Sequence, residues 1–211
     1  GAKVRVLSDY DSVQERTDLE IETDADGLFS VDLKGAEPWT GHIFVRAEGC
    51  AIACEDAISL YRKGQHPRRT PELRLRAPFE MTGTTLDTEA RPVADATISL
   101  VSARPKHGNS IPLNSATTHL ITTPEMIARG KSDGTWSMPG IDFVRAGKPR
   151  SASLVFEAAT EKPLRASRIE VQIDPNPDVK SRSNISVDFR MARLTRVAGS
   201  VVNSVTGKPV A

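Results

Sequence analysis

Cysteine, tryptophan and tyrosine each occur only twice in 211 residues, and methionine four times. Two cysteines cannot supply a disulfide scaffold or a four-thiolate zinc site. Cys50 and Cys54 on one strand would lie ~13 Å apart, far beyond the ~4.4–6.8 Å Cα span of a disulfide. They are expected to be unbridged, as small buried hydrophobes. His42, His66, His107 and His119 stand far apart, with no partners at ligand spacing, so no metal is expected. No apolar run approaches the ~20 residues of a membrane helix. Charge of one sign is missing too, since 28 Lys+Arg against 27 Asp+Glu leave +1. That balance argues against nucleic acid as a partner. Neither a nucleophile elbow nor a glycine-rich phosphate loop occurs. No catalytic or cofactor-binding residue is nominated, and the chain is expected not to be an enzyme.

What the chain does have is turns and alternation. Gly and Pro number 14 each, which suits a turn-rich fold. Val4 and Val6 alternate with Lys3 and Arg5; Ile43, Val45 and Ala47 alternate with His42, Phe44 and Arg46. Leu73 and Leu75 alternate with Arg74 and Arg76, and the same pattern runs through Ile98–Leu100, Leu154–Ala158, Ile169–Ile173 and Ile185–Phe189. Period two with one polar face predicts antiparallel sheets wet on one side, packed as sandwiches. Helix is scarce. Residues from Thr123 to Gly130 read either as a short helix or as a loop feeding a strand. The polar stretch from Pro105 to Thr118 reads as an exposed insertion.

The chain also resembles itself. The segment beginning at Met81, MTGTTLDTEARPVADATISL, matches VAGSVVNSVTGKPVA beginning at Val197, with Gly83 against Gly199. GAKVRVL at the start fits the place of DATISL, with Ala2, Val4 and Val6 against Ala96, Ile98 and Leu100. Asp26-Gly27 matches Asp133-Gly134, Phe29 matches Trp136, and Leu73-Leu75 matches Val187-Phe189. One unit is roughly 115 residues, the size of a domain rather than of a solenoid repeat.

The phrases AGSVVNSVTGKPVA, ARPVADATISL, TDADGLF and KSDGTW resemble the carboxypeptidase regulatory-like family, with Ala90 where the turn glycine is usual. The resemblance implies an all-β chain of tandem transthyretin-like (prealbumin-like) Greek-key β-sandwich domains. It places one domain at 1–78, its first strand missing or cut, and a second at 79–192. Residues 193–211 would then form the first strand and turn of a following repeat. Family members are non-catalytic appendages of secreted, envelope or surface proteins, and some relatives of the fold bind polysaccharide.

Few residues suggest a site. Asp24 and Asp26 look like part of a calcium loop, but the further oxygens and terminal Glu are missing, so a hairpin turn is expected. Arg62, Lys63, Arg68 and Arg69 form a candidate patch for an anionic partner, with a solvated Pro-broken loop as the plainer reading. The acidic stretch from Asp9 to Asp26 offers a counterpatch, in the same molecule or a neighbour. Trp39 and Phe44 are candidates for sugar stacking, whereas Trp136 is expected in the core.

The expected function is a structural or spacer module of a larger extracytoplasmic protein (periplasmic, cell-surface or secreted), whose partners are that protein's other domains. The alternatives are a module binding carbohydrate or another envelope polymer and, more weakly, an accessory domain of a secreted hydrolase. A last expectation concerns the spare strand Arg196–Val202. It either closes the preceding sandwich or pairs with the incomplete N-terminal unit of another molecule, giving a head-to-tail self-association that depends on truncation.

Overall fold

The computed structural model describes residues 1–8, 18–31, 39–60, 72–106, 110–115, 120–121, 124–145, 148–162, 164–173, 184–193, 204 and 208. The chain forms β1 (Lys3–Ser8), β2 (Asp18–Glu22), β3 (Trp39–Arg46), β4 (Ile52–Leu60), β5 (Glu80–Asp87) and β6 (Thr97–Pro105). There follow β7 (Ile111–Pro112), β8 (Asn114–Ser115), β9 (Leu120–Ile121), a 3-10 turn at Pro124–Met126, β10 (Ile127–Arg129) and β11 (Thr135–Pro139). The last strands are β12 (Ile141–Arg145), β13 (Lys148–Pro149), β14 (Ala152–Ala159), β15 (Ser167–Ile173), β16 (Ile185–Ser186) and β17 (Phe189–Met191). The architecture is all-β. Of the two readings for the segment ending at Gly130, the described part follows the loop feeding a strand; Thr123 lies outside the described residues.

Two sheets make a sandwich. One has the order β10-β6-β14-β15, with β7 joined to β6; the other is β11-β5-β16, with β17 also paired to β5. Their inner faces meet at Trp136, whose ring centroid lies 6.1 Å from Phe156 and 6.2 Å from Phe189, both rings tilted. A third sheet has the order β13-β12-β4-β3-β1-β2. It crosses residue 78: β12 leaves the sandwich and runs parallel to β4, with Ile141 opposite Ile52 and Phe143 opposite Cys54.

This crossing changes which faces are dry. Leu7, Phe44, Ile52 and Cys54 share one core with Trp136, Phe143 and Phe156. The other face of the sheet carries Val4, Val6, Ile43 and Val45, against which Phe29, Val31, Leu73 and Leu75 pack. Alternation alone predicted a wet second face for β3, yet His42 and Phe44 are buried on it, and all of Ile52–Glu55 is buried. The sandwich beside that face excludes the water. The insertion after Pro105 is not wholly exposed either. Ile111 and Leu113 are buried, two apolar residues at strand spacing inside a polar stretch.

The strand order β2-β1-β3-β4 recurs as β10-β6-β14-β15, antiparallel at every step. The amide of Thr23 donates to Ala2 O (2.9 Å), as that of Gly130 donates to Ala96 O (2.8 Å). Three hairpin turns also share one backbone pattern. Gly27 N donates to Asp24 O, Ala90 N to Asp87 O and Gly134 N to Lys131 O, at 3.1, 3.1 and 2.9 Å. The residue closing each turn has positive φ: 78° at Gly27, 61° at Ala90 and 79° at Gly134. This is the three-residue hairpin loop that ends on a left-handed residue.

Ala90 therefore holds a conformation that its Cβ disfavours by ~1 kcal/mol or more. Ala90→Gly should raise unfolding stability by about 1 kcal/mol in urea titration. Gly27→Ala should lower it by about 1 kcal/mol, since nothing lies within 4 Å of a Cβ there and only φ opposes it. Gly134→Ala should cost more, because its Cβ would stand 2.7 Å from Thr85 O. Equal losses at the two glycines would refute this account.

Candidate functional site

A cleft on the six-stranded sheet lies beside the 3-10 turn, lined by Phe44 and Ile52. Its walls are charged. β1 places Lys3 and Arg5 on one face because they alternate with Val4 and Val6, and Arg5 stands opposite both Glu20 and Phe44. Arg5 grips Asp18 through two nitrogens, each 2.8 Å from a carboxylate oxygen. That pairing raises the pKa of Arg5 and keeps its charge fixed. Arg46 reaches Glu20 at 3.3 Å and also pairs with Glu125 of the 3-10 turn. Lys3 lies 3.8 Å from Glu20. Each cation of the cleft is thus matched by a carboxylate of the same chain, and Arg46 links the six-stranded sheet to the turn preceding β10. Exposed pairs of this kind contribute ~0–1 kcal/mol apiece. They position the turn, and they leave the cleft no uncommitted cation for an anionic ligand.

The acids of β2 are therefore used by their own sheet: Asp18 and Glu20 serve Arg5, Arg46 and Lys3. Arg62, Lys63, Arg68 and Arg69 lie outside the described residues, as do His66, His107, His119 and Asp9. Arg74, next along that basic segment, bonds Glu72 at 2.8 Å.

Phe44 is 4% exposed and belongs to the larger core, so its ring offers no open stacking face. Trp39 begins β3 opposite Leu60. With Phe44 buried, its ring cannot share an exposed platform with Trp39, whose side chain lies outside the described residues. Trp136 is 2% exposed, at the centre of the sandwich. Cys50 sits half-buried after a turn, Cys54 is buried in β4, and both are thiols.

Of the two calcium-like carboxylates, Asp24 caps its turn. Asp24 Oδ1 accepts from the amides of Asp26 (3.0 Å) and Leu28 (2.8 Å). Asp87 Oδ1 repeats this with Glu89 and Arg91, and Asp133 Oδ1 accepts from the Thr135 hydroxyl and amide. Among the described residues no group of three or more His, Cys, Asp or Glu is placed to hold a metal ion. Besides Asp87, which caps its turn, two more buried acids went unseen in the sequence, Glu55 on β4 and Asp142 on β12. Glu55 stands opposite Ile43 and Val144, and Asp142 opposite Ala53, on one face of the sheet. Asp142 between Ile141 and Phe143 was the available signal, but it reads as the wet face of a strand until β12 is known to be internal.

No family model matches the chain, and no curated protein matches it. Among solved structures it is similar to 3-chlorocatechol 1,2-dioxygenase from Rhodococcus opacus 1CP, at 13% identity and TM-score 0.36, over 61% of this chain and 69% of that one. It is similar to the Bacillus anthracis TIE protein at 10% identity and TM-score 0.34, over 100% of this chain and 38% of that one. A C-terminal fragment of pilus adhesin SpaC from Lactobacillus rhamnosus GG follows at 8% identity and TM-score 0.26, over 93% and 90%. At these scores the likenesses assign neither family nor activity. Among the described residues no helix is long and apolar enough to cross a membrane.

The capped turns predict an acid sensitivity. The pKa of Asp87 is lowered, first by the Arg91 amide and then by its guanidinium. That of Asp133 is lowered by the Thr135 hydroxyl and amide. A folded-state pKa below the unfolded value of ~3.9 means stability that is present above that value and lost as pH falls through the folded one. The denaturation midpoint should therefore drop as pH falls from about 5 toward 2, and Asp87→Asn with Asp133→Asn should flatten that drop. An unchanged acid slope in the double variant would show that other carboxylates carry it.

Proposed function

We propose that the chain is a non-catalytic structural module, two transthyretin-like β-sandwich repeats of the carboxypeptidase regulatory-like kind that space and orient parts of a larger extracytoplasmic protein. The observation that carries this reading is the cleft whose charges are all matched from within: Arg5 by Asp18, Arg46 by Glu20 and Glu125. A site made for a ligand keeps some polar groups uncommitted and convergent. This one spends them on joining a turn to a sheet.

The repeat reading is supported by the recurrent strand order, by the matched bonds to Ala2 O and Ala96 O, and by turns alike at Gly27 and Gly134. The spacer reading is supported by the parallel pairing of β12 with β4, which couples two successive units through backbone bonds rather than through a linker. A spacer that transmits orientation needs such a joint. The extracytoplasmic setting comes from the family resemblance.

The test has two arms. Small-angle scattering of the full chain should fit one rigid particle, and titration against a panel of neutral and anionic polysaccharides should give no saturable binding. Saturable binding that Trp39→Ala abolishes would replace the spacer with a carbohydrate-binding module. Scattering that requires two freely hinged bodies would remove the rigid joint.

A further inference from the structure

β5 runs between neighbours of opposite sense. It is antiparallel to β11 on one side and parallel to β16 and β17 on the other. The parallel side keeps one register over its whole length. Met81 stands opposite Ile185, Thr85 opposite Phe189 and Asp87 opposite Met191, always 104 residues apart.

The pair stays bonded across the gap between β16 and β17. Val187 N donates to Thr82 O at 2.8 Å. Asp188 Oδ1 accepts from both the amide and the hydroxyl of Thr84, at 2.9 and 2.8 Å. At the start of β5, Asn184 Oδ1 accepts from Glu80 N at 3.2 Å. Gly83 lets the two backbones close up at the middle, since a Cβ there would collide with the carbonyl of Val187. Met81, Thr85, Val187, Phe189 and Met191 are buried along the inner face, so the core shields the bonds from that side.

Direction is what gives this pair a function. The chain arrives at Glu80, the start of β5, and departs past Met191, the end of β17. In a parallel pair those points lie at opposite ends, here about 23 Å apart over seven residue steps. Tension along the chain therefore draws β5 one way and β17 the other, each along its own axis. Every bond of the pair is loaded at once. In an antiparallel hairpin the same tension would enter and leave at one end, and the bonds would open one at a time. Force passes from β5 to β17 directly, so the chain between them, with the core around Trp136 and Phe156, lies off the load path.

We propose that β5 with β16 and β17 forms a shear clamp, and that the sandwich bears tension passed along the chain. This deepens the spacer reading and rests on it, because a module that holds other parts in position must not lengthen under load. Resistance to pulling is set by the rate of forced unfolding, not by equilibrium stability, and that rate depends on which bonds the force meets first.

The test pulls the full chain in two directions by single-molecule force spectroscopy. Handles attached through Ala77→Cys and Ala192→Cys load the pair in shear. Handles attached through Thr88→Cys and Ala192→Cys load it from one end. All three positions are exposed. Cys50→Ser removes the half-buried thiol, and Cys54 is buried. Both geometries release nearly the same length, about 350 Å of extended chain, which identifies the event. The rupture force should be several-fold higher in shear. Asp188→Ala should lower the shear force, whereas Asp133→Ala, which removes a turn cap outside the pair, should leave it unchanged. Circular dichroism checks that each variant is folded, and the comparison of directions decides the matter without either aspartate variant. Equal forces in the two directions would overturn the clamp and leave the spacer reading, which scattering tests separately. Equal losses in the two aspartate variants would overturn it as well, because force would then report overall stability.

Discussion

The parallel pairing of β12 with β4 is the interaction on which the arrangement depends. It places Ile141 and Phe143 beside Ile52 and Cys54 and turns one face of the six-stranded sheet into a wall of the larger core. Without that strand Phe44 and His42 would face water, and the bond between Gly140 O and Ile52 N, which opens the pairing, would be lost. Gly140 stands at the crossover for a steric reason. A Cβ there would strike the ring of Phe79, whose carbonyl accepts the Gly140 amide at 2.8 Å. The joint therefore stacks a ring, a glycine and a parallel ladder within a few residues. It leaves little freedom between the sheet and the sandwich.

What the sequence made legible follows from what acts locally. Period two survives in β1, β6, β14 and β15 because each has one face on a core. The Asp-Gly turns were legible because positive φ at the closing residue selects glycine, and Asp24 and Asp133 supply caps within a few residues. Ala90 shows that the turn forms even where the preferred residue is absent, at a cost in strain. The crossover was not legible. A parallel ladder between residues about ninety apart leaves no turn and no hairpin spacing to read. Three misplacements follow from it: the buried second face of β3, the buried Asp142 and the closed ring of Phe44. Ile111 and Leu113 were missed for a different reason, as two apolar residues diluted among Asn, Ser, Gly and Pro.

The candidate site was legible in composition and not in geometry. Near-equal numbers of acids and bases made internal pairing possible. They did not foretell that Asp18 and Glu20 would face Arg5 and Arg46 across adjacent strands. Cross-strand register decides that, and register is set by the buried valines on the opposite face. Val4 opposite Val45 and Ile21 fixes Lys3 and Arg5 on the other side. The apolar core of the smaller cluster thus dictates the ion pairs on the reverse of the same strands.

Register also bears on which edges of the molecule are open to another chain. The ends of the six-stranded sheet are blunted in ways that disfavour further pairing. At one end β2 carries Asp18, Glu20 and Glu22 in alternation, a charged face whose first two acids are already bound to Arg5 and Arg46. At the other, β13 is two residues long and includes Pro149, which has no amide to donate. Edges that would seed indiscriminate aggregation are thus lined with charge or stopped by proline. The register that sets Asp18 and Glu20 beside Arg5 and Arg46 also sets which residues the β2 edge presents, so the buried valines decide the edge as well as the ion pairs.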